Sequence, residues 1–162
     1  MNQGRTEEGI ALMQENISAL RTIGSELLFT VILGNLASAH LALLQVEQGL
    51  AVVDDALKCV DRNGDHWGES ELHRIRGHLL LTRGSHDAGL AEVCFGKALE
   101  VAREQQAKSY QLRAATSLAQ LWHQQGKNNE AKGMLSEAIC VWPEGLDTAD
   151  LREAREVRQQ LC

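Results

Sequence analysis

Proline is almost missing from this chain: Pro143 is the only one in 162 residues. Domains built from many strands and tight turns use more of it, whereas long helices joined by short turns do not need it. Aromatic residues are also scarce, at 4%, so a core has to come from Ala and Leu packing helix against helix. No uninterrupted apolar run approaches the roughly 18 residues of a membrane-spanning helix. Residues 1–8 are polar and carry no apolar signal segment. Basic residues are outnumbered, 16 Lys and Arg against 22 Asp and Glu, for a formal charge of −6. That balance excludes nucleic acid as the expected partner, because phosphate binding needs clustered cations. The four cysteines, Cys59, Cys94, Cys140 and Cys162, lack the short paired spacings of metal or redox motifs. Three fall within expected helices, where a thiol reads as a small buried hydrophobe. The expectation is an all-α, cytoplasmic, reduced protein without metal or cofactor.

A hydrophobic content of 44% with 23% charged residues excludes disorder. The pattern within that content is repetitive. Residues 7–24 align without a gap on residues 47–64, at an offset of 40. Glu7/Glu47, Gly9/Gly49, Ala11/Ala51 and Gly24/Gly64 are identical, and Ile10/Leu50, Leu12/Val52, Met13/Val53, Ile17/Leu57 and Leu20/Val60 are apolar in both. The same offset carries Gly49-Leu50-Ala51 onto Gly89-Leu90-Ala91, while Ala56-Leu57 reaches Ala98-Leu99 only after two extra residues. Ala138-Ile139 follows 40 residues later. A period near 40 with helical spacing implies stacked helical hairpins, each burying its apolar side on the next.

Eight helices are predicted, over about 7–23, 26–44, 47–62, 68–83, 87–105, 108–125, 128–141 and 148–160. Gly24, Gly64, Gly84 and Gly126 stand where helices must stop, in the place of a left-handed cap. Ser25 before Glu26, and Asp147 with Asp150, read as N-caps with acidic first turns. Pro143 ends the seventh helix. Connections this short make neighbouring helices antiparallel. The whole chain, 1–162, is one domain: an incomplete hairpin at 7–24, hairpins at 26–64, 68–106 and 108–143, and a closing helix at 147–161.

The third hairpin carries a family resemblance. Leu118-Ala119, Trp122, Gly126, Ala131, Leu135, Ala138 and Pro143 resemble the tetratricopeptide repeat (TPR) pattern. The second hairpin repeats it as Gly77, Leu80, Gly84, Ala91, Phe95 and Ala98, and the first as Leu36-Ala37, His40, Gly49, Val53 and Ala56. The resemblance implies a right-handed α-solenoid in which small residues let backbones approach and Trp122 fills a large pocket. The segments ELHRIRGHLLL at 71–81, AEVCFGKALEVAREQQAKSYQLRAATSLAQLW at 91–122 and EGLDTADLREA at 144–154 also look like the C-terminal TPR region of bacterial regulators. Those proteins join a cyclase-like or other signalling domain to an ATPase module. This chain has no GxxxxGK[ST] phosphate loop and no cyclase-like metal-binding segment, so neither activity carries over.

No catalytic constellation is legible. His73 and His78 are five residues apart and cannot share a helix face as an HExxH pair does, and no Ser or Cys sits in a nucleophile elbow. His66, His86 and His123 lie near expected helix ends. The acidic pairs Glu7-Glu8 and Asp54-Asp55 read as solvated. The TPR resemblance implies a concave face lined by the first helix of each hairpin, here Glu71, Arg74 and His78, then Arg113, Thr116, Gln120 and His123. At the corresponding places of the first hairpin Val31, Gly34, Ser38 and Leu41 are small or apolar. The Lys/Asn pattern of TPR domains that hold a C-terminal carboxylate is absent. The stripe Ile10, Met13, Ile17 and Leu20 (with Leu12 as an alternative to Met13) has a partner on one side only, which makes it a candidate for self-association. The closing helix carries Arg152, Glu153, Arg155, Glu156 and Arg158 around a thin apolar line, as an end cap should. The functional expectation is a non-catalytic adaptor that binds a protein or peptide, or a second copy of itself. The alternative is a regulatory or sensor piece of a bacterial signalling enzyme, binding an effector or its own catalytic module.

Overall fold

The computed structural model describes residues 3–22, 29–143 and 145–161, and among them the chain is all-α with no strand. Eight helices run α1 (Gln3–Thr22), α2 (Phe29–Ala42), α3 (Val46–Asn63), α4 (Glu69–Arg83), α5 (Ala88–Glu104), α6 (Lys108–Gln124), α7 (Asn128–Cys140) and α8 (Ala149–Gln160). A single 3-10 turn, Ser85–Asp87, lies between α4 and α5. No described helix is long and apolar enough to cross a membrane.

The helix ends follow local chemistry, with three departures from expectation. Gly64 adopts φ 69°, and its N–H donates to the carbonyl of Val60, closing α3 as a left-handed cap. Gly126 takes φ 78° after α6. Gly84 departs from this: at φ 164°, ψ 158° it is extended, because the chain turns at once into the 3-10 segment. A Cβ there would stand 2.7 Å from the ring of His86, an exposed side chain with room to move aside. The second departure is at α8, whose N-cap is Thr148, with Oγ1 accepting from the Leu151 N–H. Asp147 instead pairs with Arg152 and Arg155. The third is that α1 starts four residues before the expected Glu7, with no proline in Gln3–Thr6 to prevent it and Gly4 tolerated in its first turn. The expected cap at Ser25 and Glu26 and the stop at Gly24 lie outside the described residues.

Two apolar clusters hold the helices together. The first joins α1 to α4 through Ile10, Ile17, Phe29, Leu33, Leu36, Val53, Leu72 and Leu79. The second joins α4 to α8 through Leu80, Phe95, Leu112, Leu118, Leu135 and Leu151. Leu50 packs against both clusters. Small residues set the spacing: a Cβ on Gly77 would meet the Phe95 ring at 2.4 Å, and one on Gly49 would meet Leu79 at 2.7 Å. Each helix packs on its sequence neighbour, and α2 with α4, α4 with α6 and α6 with α8 also touch. By contrast the backbones of α3 and α5, and of α5 and α7, stay apart, and α5 meets α7 through side chains such as Arg103 and Glu137, 3.6 Å from one another. The even-numbered helices therefore form a continuous row, while the odd-numbered helices are spaced apart.

Candidate functional site

The even-numbered row brings together most of the residues that the repeat pattern singled out. Arg74 and His78 of α4, Arg113, Thr116 and Gln120 of α6, and Asp150 and Glu153 of α8 line a cavity of about 150 Å³. Glu71 holds it from one side. Its carboxylate accepts from Arg74 Nε at 2.9 Å and Nη2 at 2.7 Å, and Arg113 Nη2 lies 3.0 Å from the same carboxylate. A bidentate guanidinium–carboxylate pair of this kind fixes both planes. A neighbouring cavity of about 320 Å³ is lined by Val31, Gly34 and Ser38 of α2 together with Glu71, Tyr110 and Arg113. Leu41 does not line either cavity.

His78 is the most perturbed group at this site. Its Nε2 lies 2.9 Å from Ser117 Oγ, and its ring meets Phe95 edge-on with centroids 4.9 Å apart. Burial, helped by the Arg74 charge and opposed by Glu71, lowers its pKa to about 4, so the ring is neutral at pH 7. The Thr116 hydroxyl is satisfied within its own helix, donating to the Leu112 carbonyl at 2.8 Å. His123 is not part of this group. It is exposed in the last turn of α6 and pairs with Asn128 at 2.8 Å. Repeat spacing missed Ser117, Asp150 and Glu153. A buried serine mid-helix gives no signal in sequence, and the two carboxylates come from α8, which the repeat does not include.

The other singled-out residues are structural. Trp122 packs against the second cluster and donates its indole N–H to Glu92 at 2.8 Å. Lys127 lies 3.1 Å from the same carboxylate and 6.0 Å from the indole centroid. The bond from Trp122, with those from Gln125 and Lys127, holds the Glu92 carboxyl below its usual pKa despite partial burial. The Asp54-Asp55 pair is not simply solvated: Asp54 meets Arg76 and Asp55 meets Arg21. Of the thiols, only Cys59 is fully buried; Cys94 is half-buried, which raises its pKa, Cys140 is exposed, and Cys162 lies outside the described residues. Among the described residues no cluster of His, Cys, Asp and Glu is arranged to hold a metal. On α1, Ile10 and Ile17 are buried in the first cluster, leaving Met13 and Leu20 beside Ile32 in a shallow groove. No protein-family model matches the chain, and no curated protein matches it.

Proposed function

We propose that this chain is a non-catalytic protein-interaction module of TPR type. In this reading it is a right-handed α-solenoid of antiparallel hairpins, with the even-numbered helices on the inside. A stack whose inner helices touch and whose outer helices are spaced curves toward the inner row. The groove so formed holds an extended peptide or a partner helix. The observation that carries the proposal is Arg113. It lines both inner cavities, one mostly polar and one with the small residues of α2, and its guanidinium shares one carboxylate with Arg74. A peptide carboxylate laid across that junction would complete its remaining donors.

A catalytic reading has one point of contact, the His78–Ser117 pair, and chemistry weighs against it. Ser117 sits within α6, where the neighbouring backbone N–H groups are committed to the helix ladder. That leaves no pair of donors to stabilise an oxyanion beside its hydroxyl. The binding reading is tested by panning a displayed random-peptide library on the full chain. Peptides should be recovered whose affinity drops at least about tenfold in the Arg74→Ala/Arg113→Ala variant. Recovery of none, or of peptides that bind both proteins equally, ends the proposal.

A further inference from the structure

The helix pairs α3/α4, α5/α6 and α7/α8 each hold the even-numbered helix that precedes them: α2, α4 and α6 in turn. The pair α1/α2 is the fourth of the kind, and among the described residues no helix lies on it. In that place is a groove of about 530 Å³, lined by Met13, Asn16, Ala19 and Leu20 of α1 with Ile32 and Asn35 of α2. The repeat shows what such a groove takes. Forty residues on from Met13, Asn16 and Leu20 stand Val53, Ala56 and Val60, all buried. Forty on from Ile32 and Asn35 stand Leu72 and Ile75, also buried, at 3.6 and 4.0 Å from where a Cβ on Gly34 of α2 would be. The occupant of the equivalent place is therefore an α-helix, α2, antiparallel to α3 across their short connection. By the same plan the α1/α2 groove takes a helix antiparallel to α1.

The surface of α1 selects that helix. Its apolar side is wider than α2 covers. Ile10 and Ile17 are buried in the first cluster, Met13 and Leu20 line the groove, and Leu12, 61% exposed, stands with Ala19 at the outer edge. At about 100° per residue these positions span half the helix circumference, and Asn16 is the one polar residue set among them. Asn16 stands where the later repeats have Ala56, Ala98 and Ala138, all buried, so a helix docked here has to answer an amide. A side-chain amide both donates and accepts, which lets a second amide satisfy it. A single Asn in an apolar seam also fixes register and the number of partners. Helix α8 of another copy does not qualify, because Leu151, Ala154 and Val157 are buried and Arg152, Glu153 and Glu156 face water. Helix α1 of another copy does.

We propose that two copies of this chain pair about a two-fold axis beside Asn16, with α1 of each lying antiparallel in the α1/α2 groove of the other. A two-fold axis across α1 reverses the direction of its copy, which supplies the orientation the groove takes. Asn16 then faces its own counterpart, and Leu12 of one copy meets Leu20 of the other. Neither cavity lined by Arg113 includes a residue of α1, so pairing and peptide binding fail independently.

Sedimentation equilibrium of the full chain, from low micromolar to near-millimolar concentration, reads the pairing. The wild type should reach twice the chain mass. Asn16 is exposed in the single chain, so substitution there leaves the fold intact. Asn16→Glu and Asn16→Lys should each raise the dissociation constant at least about tenfold, by setting like charges face to face on the axis. Mixed in equal amounts, the two variants should pair again, since a carboxylate then meets an ammonium group, and added salt should loosen that mixed pair. A wild type that stays monomeric throughout overturns the proposal, as does a dimer indifferent to both substitutions. Variants that dissociate alone and stay monomeric when mixed overturn it too, because Asn16 then does not face itself.

Discussion

The gaps α3/α5 and α5/α7 occupy the same place in successive repeats and end in opposite states. In the later one Trp122, Glu92 and Lys127 form a hydrogen-bonded plug. In the earlier one Leu80 and Leu50 stand at two of those positions, and an apolar hollow remains. The two gaps differ in side-chain volume and in one polar pair. The gap falls between odd-numbered helices in both places, and the residue that stands where Leu80 or Trp122 does decides whether the chain fills it.

The severest way to break the comparison is to remove the wall common to both gaps. Phe95 of α5 is fully buried against Gly77, and Phe95→Ala should cost about 3–5 kcal/mol in denaturant unfolding. Next comes acid, acting on the other side of the same ring. His78 has a folded pKa of about 4 against 6.5 when free. Above pH 6.5 both states are neutral and stability is full. As pH falls from 6.5 toward 4 the unfolded chain binds the proton first, and stability should drop by about 2–3 kcal/mol. His73, also held low chiefly by burial, acts in the same direction. Unfolding midpoints across that range, which should flatten in His78→Gln, check it. Trp122→Leu should then turn the closed gap into a copy of the open one. It loses about 1–3 kcal/mol and leaves Glu92 without its indole donor, read as a fall in melting temperature.

The mildest test concerns the turns. Leu44, after α2, holds φ 58° where Gly126 holds φ 78° after α6. The two turns close alike: Gln45 N–H donates to the His40 carbonyl at 2.9 Å, and Lys127 N–H to the Trp122 carbonyl at 2.9 Å. An exposed leucine in left-handed backbone is strained, so Leu44→Gly should stabilise the chain by about 0.5–1 kcal/mol in the same unfolding assay.

The helices were legible because their stops are chemical. Gly64 and Gly126 require positive φ, and Pro143 cannot extend α7, so their positions show in the residue types. The two-residue insertion before Ala91 was legible as a length, but its form was not. It is taken up by the 3-10 turn, where buried Asp87 accepts from Arg83 Nε at 2.7 Å. The α4/α6 site was legible as far as helical spacing reaches: Glu71, Arg74, Arg113 and Gln120 recur on one face and do converge. His123 shares that spacing and still falls outside, since it sits exposed in the last turn of α6 and pairs with Asn128.

The near-collision of Gly77 with Phe95 has a consequence for inheritance. At the same two repeat positions stand Ala37 with Val53 and Ala119 with Leu135, all of them buried. The two alanine pairs keep the methyl and carry an aliphatic side chain opposite, while Gly77 gives up the methyl to make room for the larger Phe95 ring. Gly77→Ala alone should be damaging, and Phe95→Leu beside it should restore much of the loss. A descendant of this chain would be expected to change both positions together or neither.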